Sequence, residues 1–440
     1  MDFTPLHRQS GGLVSFSPDG RYLASTIKDR LVIRDAESLE VRHTYTCTYV
    51  VQDVQWSPHS DYLLSASYKQ ARVDVWSLHD DKWHAELDES FTGLSNARWA
   101  RDGLHVLTVS EFQFRLNIWS MLTGEQLCVQ YPKYKDKGFV YSPDSRYVAI
   151  LERQESKDVV GVYSTNPWAL QKTFGVDAID CENLAWSPDG RYIAVWDTAV
   201  DYKVFVYNPL GVLKSTYQAY VDGLGIKSVR WDPFSQFLAI GSYDQQIRFL
   251  NTYNWTPFTT LKHPTNISNP DVRIYVEIDV SNEINETSHR FASKKLLRRF
   301  ELRDKLLSVP TVVPDGTKPN PKLGVGSMEF DQSGHYLCTR NDNMPNSLWI
   351  WDMKELRLYA HITLIDPVRI VRWNPSYPGL LAFSSGVNCI YLWRPERGCE
   401  FYELPAANFN LAHFTWSPSG RALALWDKER CHLGHLAHLK

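Results

Sequence analysis

The chain lacks most of the features from which secreted, membrane-borne or catalytic proteins are built. No run of about 18 apolar residues occurs among its 440, which excludes a transmembrane helix. The opening residues, with Asp2 and His7, contain no apolar core of a secretory signal. Cysteine is scarce. Seven are present (Cys47, Cys128, Cys181, Cys338, Cys389, Cys399, Cys431), an odd number without paired spacing, as expected of reduced thiols in an intracellular compartment and not of a disulfide framework. Charge of one sign is missing too: 47 Lys and Arg against 50 Asp and Glu leave a net of −3, which argues against a general polyanion binder. There is no P-loop, dinucleotide fingerprint, nucleophile elbow or His-Glu-x-x-His. No enzyme, cofactor or resident metal is expected.

What is present is a phrase. Trp186-Ser187-Pro188-Asp189-Gly190-Arg191-Tyr192-Ile193-Ala194 recurs in more or less altered form, anchored on Phe16, Trp56, Trp99, Tyr141, Trp186, Trp231, Phe330, Trp373 and Trp416. The separations are 40, 43, 42, 45, 45, 99, 43 and 43 residues. In each unit an apolar strand ends at the anchor. Ser-Pro-Asp-Gly then supplies a type I turn, with Ser first, Pro fixing φ at the second position and Gly fourth. A second strand such as Arg21-Tyr22-Leu23-Ala24-Ser25 follows. A third ends in an aromatic or large residue at positions 34, 76, 119, 163, 207, 250, 351 and 393, and a fourth, more polar strand leads to the next anchor. Four strands per period of about 43 residues is a β-propeller blade of WD type. The fold class is all-β: one propeller of about nine degenerate blades. The last unit is one strand short and the orphan segment Asp2–His7 precedes the first anchor, so the N-terminal strand is expected to complete the last blade and remove two open edges.

The 99-residue interval divides the chain into blades 1–6 over residues 1–263, an insertion over 264–322 and blades 7–9 over 323–440. Within the insertion, Arg273–Val280 alternates like a strand with acidic neighbours, a strand available to extend the sixth blade. Ser293–Leu307 lacks Gly and Pro and puts Leu296, Leu297, Phe300 and Leu307 on one helical stripe among Lys and Arg, which predicts an amphipathic basic helix. Pro310, Pro314, Pro319 and Pro321 then form a stiff or unstructured connector. Lys294, Lys295, Leu297, Arg298, Arg299, Phe300 and Arg303 are the candidate partner-binding residues. The alternatives are a rim decoration with solvated charges, and a membrane contact disfavoured by the short stripe and the lack of an interfacial Trp.

Two other motifs have plainer explanations. Cys431-His432-Leu433-Gly434-His435-Leu436-Ala437-His438 invites a zinc reading, but its alternation fits a last strand, and structural zinc sites gather four ligands at paired spacings. The Ser-Pro pairs at 17, 57, 142, 187 and 417 resemble kinase targets, yet lie in the repeat turns.

The repeats resemble divergent WD40 units. The third-strand hairpin Gly241-Ser242-Tyr243-Asp244-Gln245-Gln246-Ile247-Arg248-Phe249 and the ending Trp351-Asp352 carry that resemblance. No Gly-His start is evident, which leaves the usual hydrogen-bond network inside each blade in question. The opening Asp2-Phe3-Thr4, the phrase from Phe16 to Ala24 and Leu261-Lys262-His263-Pro264 before the insertion further resemble the WD repeat-containing protein 8 family. That resemblance implies a non-catalytic scaffold in the cytoplasm, at centrosomes and spindle poles. Its implied partners are a coiled-coil protein that anchors microtubule minus ends and, in fungi, a minus-end-directed kinesin. It also implies centriolar satellites, spindle assembly and cilium biogenesis, with no direct nucleic acid or membrane partner. Two alternatives stay open: a ribosome-binding translation-initiation propeller, and a ubiquitin-ligase adaptor, for which Trp351-Asp352-Met353-Lys354 ends in Lys where Arg is wanted.

Overall fold

Why the phrase recurs is visible in its turns. The Ser17 hydroxyl donates to Asp19 Oδ1 at 2.6 Å and accepts the Tyr22 N–H at 2.9 Å, while the Gly20 N–H closes on the Ser17 carbonyl at 2.9 Å. Ser187, Asp189, Tyr192 and Gly190 repeat these bonds. Gly20 and Gly190 take φ of 75° and 77°, the left-handed region that glycine enters without cost. Ser17, Ser57, Ser142, Ser187 and Ser417 are all buried. The serine is an internal strut of the turn, out of reach of a kinase.

The computed structural model describes residues 1–80, 82–280, 298–306, 308–406 and 408–436. Among them are nine sheets and no α-helix, only two short 3-10 turns, Tyr68–Gln70 and Glu111–Gln113. Seven sheets are plain four-stranded antiparallel blades, such as Asp53–Trp56, Tyr62–Ser67, Arg72–Ser77 and His84–Asp88. Nine hydrophobic clusters fill the nine gaps between neighbouring blades, so no blade has a core of its own.

The anchors are mostly Trp for a reason beyond size. The indole N–H groups of Trp56, Trp99, Trp231, Trp373 and Trp416 each reach the preceding blade. They donate to the carbonyls of Ser15, Gln55, Ala185, Glu329 and Arg372 at 3.1, 3.2, 3.1, 2.8 and 3.2 Å. In every case the acceptor sits one residue before the previous anchor. Trp186 departs from this and donates to Gly190 O in its own turn. A net value of about 0.5–1.5 kcal/mol per bond, repeated around the ring, couples blades that already share apolar cores.

The network inside the blades is altered, not lost. In blade 7 the Trp351 indole donates to Thr339 Oγ1 at 2.9 Å, and Thr339 pairs with His263 Nε2 at 2.8 Å. The other ring nitrogen of His263 faces the Gln245 carbonyl at 2.9 Å. In blade 3, Trp119 and Thr108 meet a buried Glu89 where blade 7 has its histidine. In blade 2, Trp76 bonds to Ser65, and Cys47 lies beside that serine. In blade 1, Arg34 bonds to Ser25. His263 thus fills the place of the missing Gly-His histidine, displaced from its blade by the insertion.

The ring closes as expected. Arg430–His435 pairs antiparallel with Asp2–Phe3 and with His7–Arg8, so both ends of the chain share blade 9. Cys431 and His432 are buried in this strand, and His432 packs on Phe409 with ring centroids 5.2 Å apart. No metal-holding cluster of His, Cys, Asp and Glu occurs among the described residues.

The insertion departs from expectation, and its first strand extends blade 7, not blade 6. Blade 7 has six strands, in the order Arg298–Arg303, Arg273–Asp279, Arg357–Thr363, Ser347–Asp352, Tyr336–Asn341, Val325–Phe330. The predicted helix over 293–307 is corrected: Arg298–Arg303 is a β-strand, and 281–297 and 307 lie outside the described residues. The segment suits a helix by composition, but its Arg298-x-Phe300 alternation also suits a strand. Arg273–Asp279, laid against Arg357–Thr363, offers a sheet edge that only a strand can use. A ready partner edge outweighs local propensity.

Candidate interaction surface

Arg273–Asp279 runs parallel to the outermost strand of blade 7 in the register Arg273↔Ala360 to Val276↔Thr363. Arg298–Arg303 returns antiparallel, from Ile274↔Arg303 to Asp279↔Arg298. Alternation divides the first strand between two neighbours. Ile274 packs into the cluster shared by blades 6 and 7, and Tyr275 leans on the cluster shared by blades 7 and 8. Glu277 is fully buried: its carboxylate accepts the Tyr391 O–H at 2.6 Å, Arg298 Nη1 at 3.2 Å and the Ile365 N–H at 2.9 Å. Arg298 Nη2 continues to Asp366 at 2.8 Å. Burial works against the charge on Arg298, but Asp366 and Glu277 outweigh it and hold the guanidinium above its ordinary range. Phe300 packs on Tyr391 with ring centroids 5.8 Å apart.

The candidate residues therefore separate. Arg298 and Phe300 form a brace that ties the inserted hairpin to blade 8. Arg299 and Arg303 are exposed and flank Glu301 at 3.5 and 3.4 Å. Lys294, Lys295 and Leu297 lie outside the described residues. Trp351 and Asp352 are also committed internally, the indole to Thr339 and the carboxylate to the backbone N–H groups of Lys354 and Glu355.

A second surface gave no motif in the sequence. In an antiparallel blade the second-to-third-strand turns and the links to the next blade emerge on the same face of the ring. On that face Phe91, Phe112, Phe114 and Tyr131 are 97%, 79%, 59% and 50% exposed. Phe112, Gln113 and Tyr131 have φ of 58°, 54° and 55°. Left-handed backbone at bulky residues is uncommon, and here it also occurs at Leu39, Trp255 and Leu356 in third-to-fourth-strand turns. Phe112, Phe114 and Tyr131 rim a shallow depression of about 490 Å³ with a charged floor. Lys133 Nζ bonds to Asp158 Oδ2 at 2.7 Å, Asp180 Oδ1 at 2.8 Å and the Cys181 carbonyl at 2.6 Å, and Arg153 Nη1 also reaches Asp180 at 2.7 Å. Burial opposes ionisation of Asp180, yet Lys133 and Arg153 prevail and keep its carboxyl below the usual range. Burial and the nearby carboxylates of Glu182, Asp180 and Asp158 push the Tyr134 phenol up. With every floor carboxylate paired and no nucleophile poised, the arrangement offers apolar contact over a fixed base. Exposed aromatics over a rigid polar support are the makings of a protein interface. The one signal in the sequence was Glu111-Phe112-Gln113-Phe114, two phenylalanines within a single second-to-third-strand turn.

The comparisons with known proteins agree with the architecture. The family described as WD domain, G-beta repeat matches residues 211–251, from the last strand of blade 5 through the third strand of blade 6. Among solved structures, the C-terminal WD40 domain of Sif2 superposes with a TM-score of 0.53 at 10% identity, covering 88% of this chain and 95% of that one. A eukaryotic initiation factor gives 0.60 at 13% identity, covering 91% and 90%. Likeness at such identities concerns the fold alone. An uncharacterized WD repeat-containing protein of Schizosaccharomyces pombe is 24% identical over 444 residues, covering 94% of this chain and 88% of that protein. The WD repeat-containing protein WRAP73 of Mus musculus is 38% identical over 438 residues, 98% of this chain and 94% of that protein. Identity at this level across all nine blades places the chain in one family: it is a WD-repeat protein of the WRAP73 family.

Proposed function

We propose that the chain is a non-catalytic protein-interaction scaffold of the cytoplasm that works at centrosomes and spindle poles. There it joins a coiled-coil protein that anchors microtubule minus ends and supports spindle assembly and ciliogenesis. The observation that carries the scaffold reading is the exposed aromatic depression of Phe112, Phe114 and Tyr131 on an otherwise regular ring. Such a rim gains by being covered, and a closed propeller presents it rigidly. The cellular setting rests on the resemblance to the WD repeat-containing protein 8 family, carried by Asp2-Phe3-Thr4, the first blade phrase and Leu261-Lys262-His263-Pro264. Arg299 and Arg303 on the hairpin edge form a second contact.

The test is affinity purification and imaging of the tagged full-length chain beside a Phe112→Ser, Phe114→Ser double variant. The expected result is recovery of a coiled-coil pole protein and a focused pole signal, both reduced at least tenfold in the variant. Co-sedimentation with 40S ribosomal subunits without a pole signal overturns the reading in favour of a translation factor.

A further inference from the structure

The same face carries a second apolar patch, over blades 5 and 6, with a different electrostatic character. Ile179, Val200 and Val221 are 66%, 75% and 77% exposed, and Leu224 is exposed beside them. They stand on three loops: 177–180, 198–203 and 218–225. Those loops are stitched together. The Thr198 N–H donates to the Asp180 carbonyl at 2.9 Å, the Gly225 N–H to the Ala199 carbonyl at 2.8 Å and the Asp180 N–H to Asp197 Oδ1 at 2.9 Å. Beneath them Tyr202 is buried, with the Tyr220 ring 4.6 Å and the Tyr217 ring 6.1 Å away, and Arg248 lies 5.6 Å from the Tyr202 ring centre. Gly225 has no room for a side chain, since a Cβ there would lie 2.5 Å from the Asp201 carbonyl oxygen. Aliphatic side chains this exposed on a platform this firmly held are already arranged for contact, so covering them orders little else.

The charge around the patch says what covers it. The three loops hold four carboxylates, Asp177, Asp180, Asp201 and Asp222, against one ammonium, Lys203. Asp180 is engaged by Lys133 and Arg153 on the blade 4 side, and Lys203 is held by Asp201 at 2.7 Å. Asp177 and Asp222 are exposed and have no ion pair among the described residues. Lys157 of the blade 4 turn stands opposite Asp177, next to the Val176–Asp158 backbone bond. Carboxylates still outnumber cations, so the patch is apolar in the middle and acidic at its margin, whereas the charges beneath the aromatic depression are balanced internally. We propose that Ile179, Val200, Val221 and Leu224 bind a basic amphipathic segment of a partner protein, its apolar stripe on the aliphatic side chains and its Lys or Arg residues beside Asp177 and Asp222. The site adjoins the aromatic depression through the 177–180 loop, whose Asp180 lines that depression, but it uses other apolar side chains and does not depend on the cellular setting proposed above. Opposite charge at the margin steers the encounter and selects the partner, while aliphatic burial holds it.

Full-length protein titrated with two fluorescent helical peptides tests this, one of Leu and Lys in amphipathic order and one of Leu and Glu in the same order. Binding of the Lys peptide is expected to be at least tenfold tighter and to weaken as salt rises. Val200→Asp with Val221→Asp, and separately Asp177→Lys with Asp222→Lys, should each weaken it at least tenfold. Tyr253→Asp should not, although Tyr253 is 96% exposed, because it lies in a third-to-fourth-strand link on the opposite face. The substituted side chains point to solvent, and circular dichroism checks that every variant folds. Equal affinity for both peptides, no binding of the Lys peptide, or undiminished binding in both patch variants overturns the proposal.

Discussion

Arg298 offers the sharpest test, because composition makes it a solvated docking residue and the structure makes it an internal brace. Its side chain is 10% exposed and that of Glu277 is fully buried, with Nη1 3.2 Å from Oε1. At an effective dielectric of about 20 the gross attraction at this distance is about 5 kcal/mol. Desolvation of both groups cancels much of it, so the pair itself adds little. Removing only one partner is another matter. In Arg298→Met the methylene stem remains, but the Glu277 carboxylate stays behind, buried, with only Tyr391 and the Ile365 N–H as donors. An uncompensated charge of this kind costs about 3–5 kcal/mol. The hairpin also meets blade 8 through Tyr275, Phe300 and Arg273, and the stranded charge sits among these contacts, so the loss should appear first as detachment of Arg273–Asp279 and Arg298–Arg303 from Gly398–Glu403. Hydrogen exchange read by mass spectrometry should show protection of these segments falling by roughly 10²–10⁴-fold, with blades 1 to 5 little changed. Adding Glu277→Gln, which removes the stranded charge and keeps an acceptor for Ile365, should restore most of the protection. If Arg298→Met leaves protection within about threefold of the parent chain, the brace does not exist and Arg298 returns to the docking surface.

Further expectations follow from the same geometry. Trp373→Phe keeps an aromatic ring, smaller than the indole, and deletes the 2.8 Å bond to the Glu329 carbonyl, and should cost at least about 1 kcal/mol in urea denaturation; an unchanged midpoint would sink the inter-blade role of the indoles. Burial lowers His263 to about 4, and burial, with the His263 ring close by, lowers His361 to about 3. Both are neutral in the folded ring and take protons in the unfolded chain below its ordinary 6.5. Stability should therefore hold above pH 6.5 and fall as pH drops towards 4, by about 2 kcal/mol per histidine at pH 5. A flat denaturation midpoint from pH 7.5 to 5, or the same slope in His361→Leu, contradicts this. Deleting residues 1–8 takes both N-terminal strands from blade 9 and should expose Arg430–His435 to rapid hydrogen exchange; retained protection there means the ring closes without them.

Several features of the fold are legible in the chain because they arise from local rules repeated nine times. Ser, Pro, Asp and Gly have their own backbone preferences, so the Phe16 and Trp186 phrases announce their turns, and the period announces the blade. The closing strand is legible as well, since a unit one strand short and an orphan segment before the first anchor complement each other. The bonding partners of Trp56, Trp99, Trp231, Trp373 and Trp416 are not legible, because each acceptor is a main-chain carbonyl more than 40 residues earlier, where any side chain serves. The same holds for His263: its partner Thr339 lies 76 residues away, across the insertion. The aromatic depression is not legible either, because exposure is a property of loops brought together by the ring. Phe91, Phe112 and Tyr131 have nothing in common in sequence.

The sequence by itself determined the all-β propeller, its nine units, its N-terminal closure and the place where regularity breaks, because each depends on short-range turn chemistry and strand alternation. Tertiary structure alone decided what the break becomes. Residues 298–303 have the composition of an amphipathic helix, yet an open edge on Arg273–Asp279 and a buried Glu277 facing blade 8 make them a strand. Local propensity differs between the two states by tenths of a kcal/mol per residue, whereas a ladder of main-chain bonds and a buried charge requiring a partner are worth several. Tertiary structure likewise decided that Arg298 points inward, and it gathered Phe112, Phe114 and Tyr131 on one face of the ring and Ile179, Val200 and Val221 beside them.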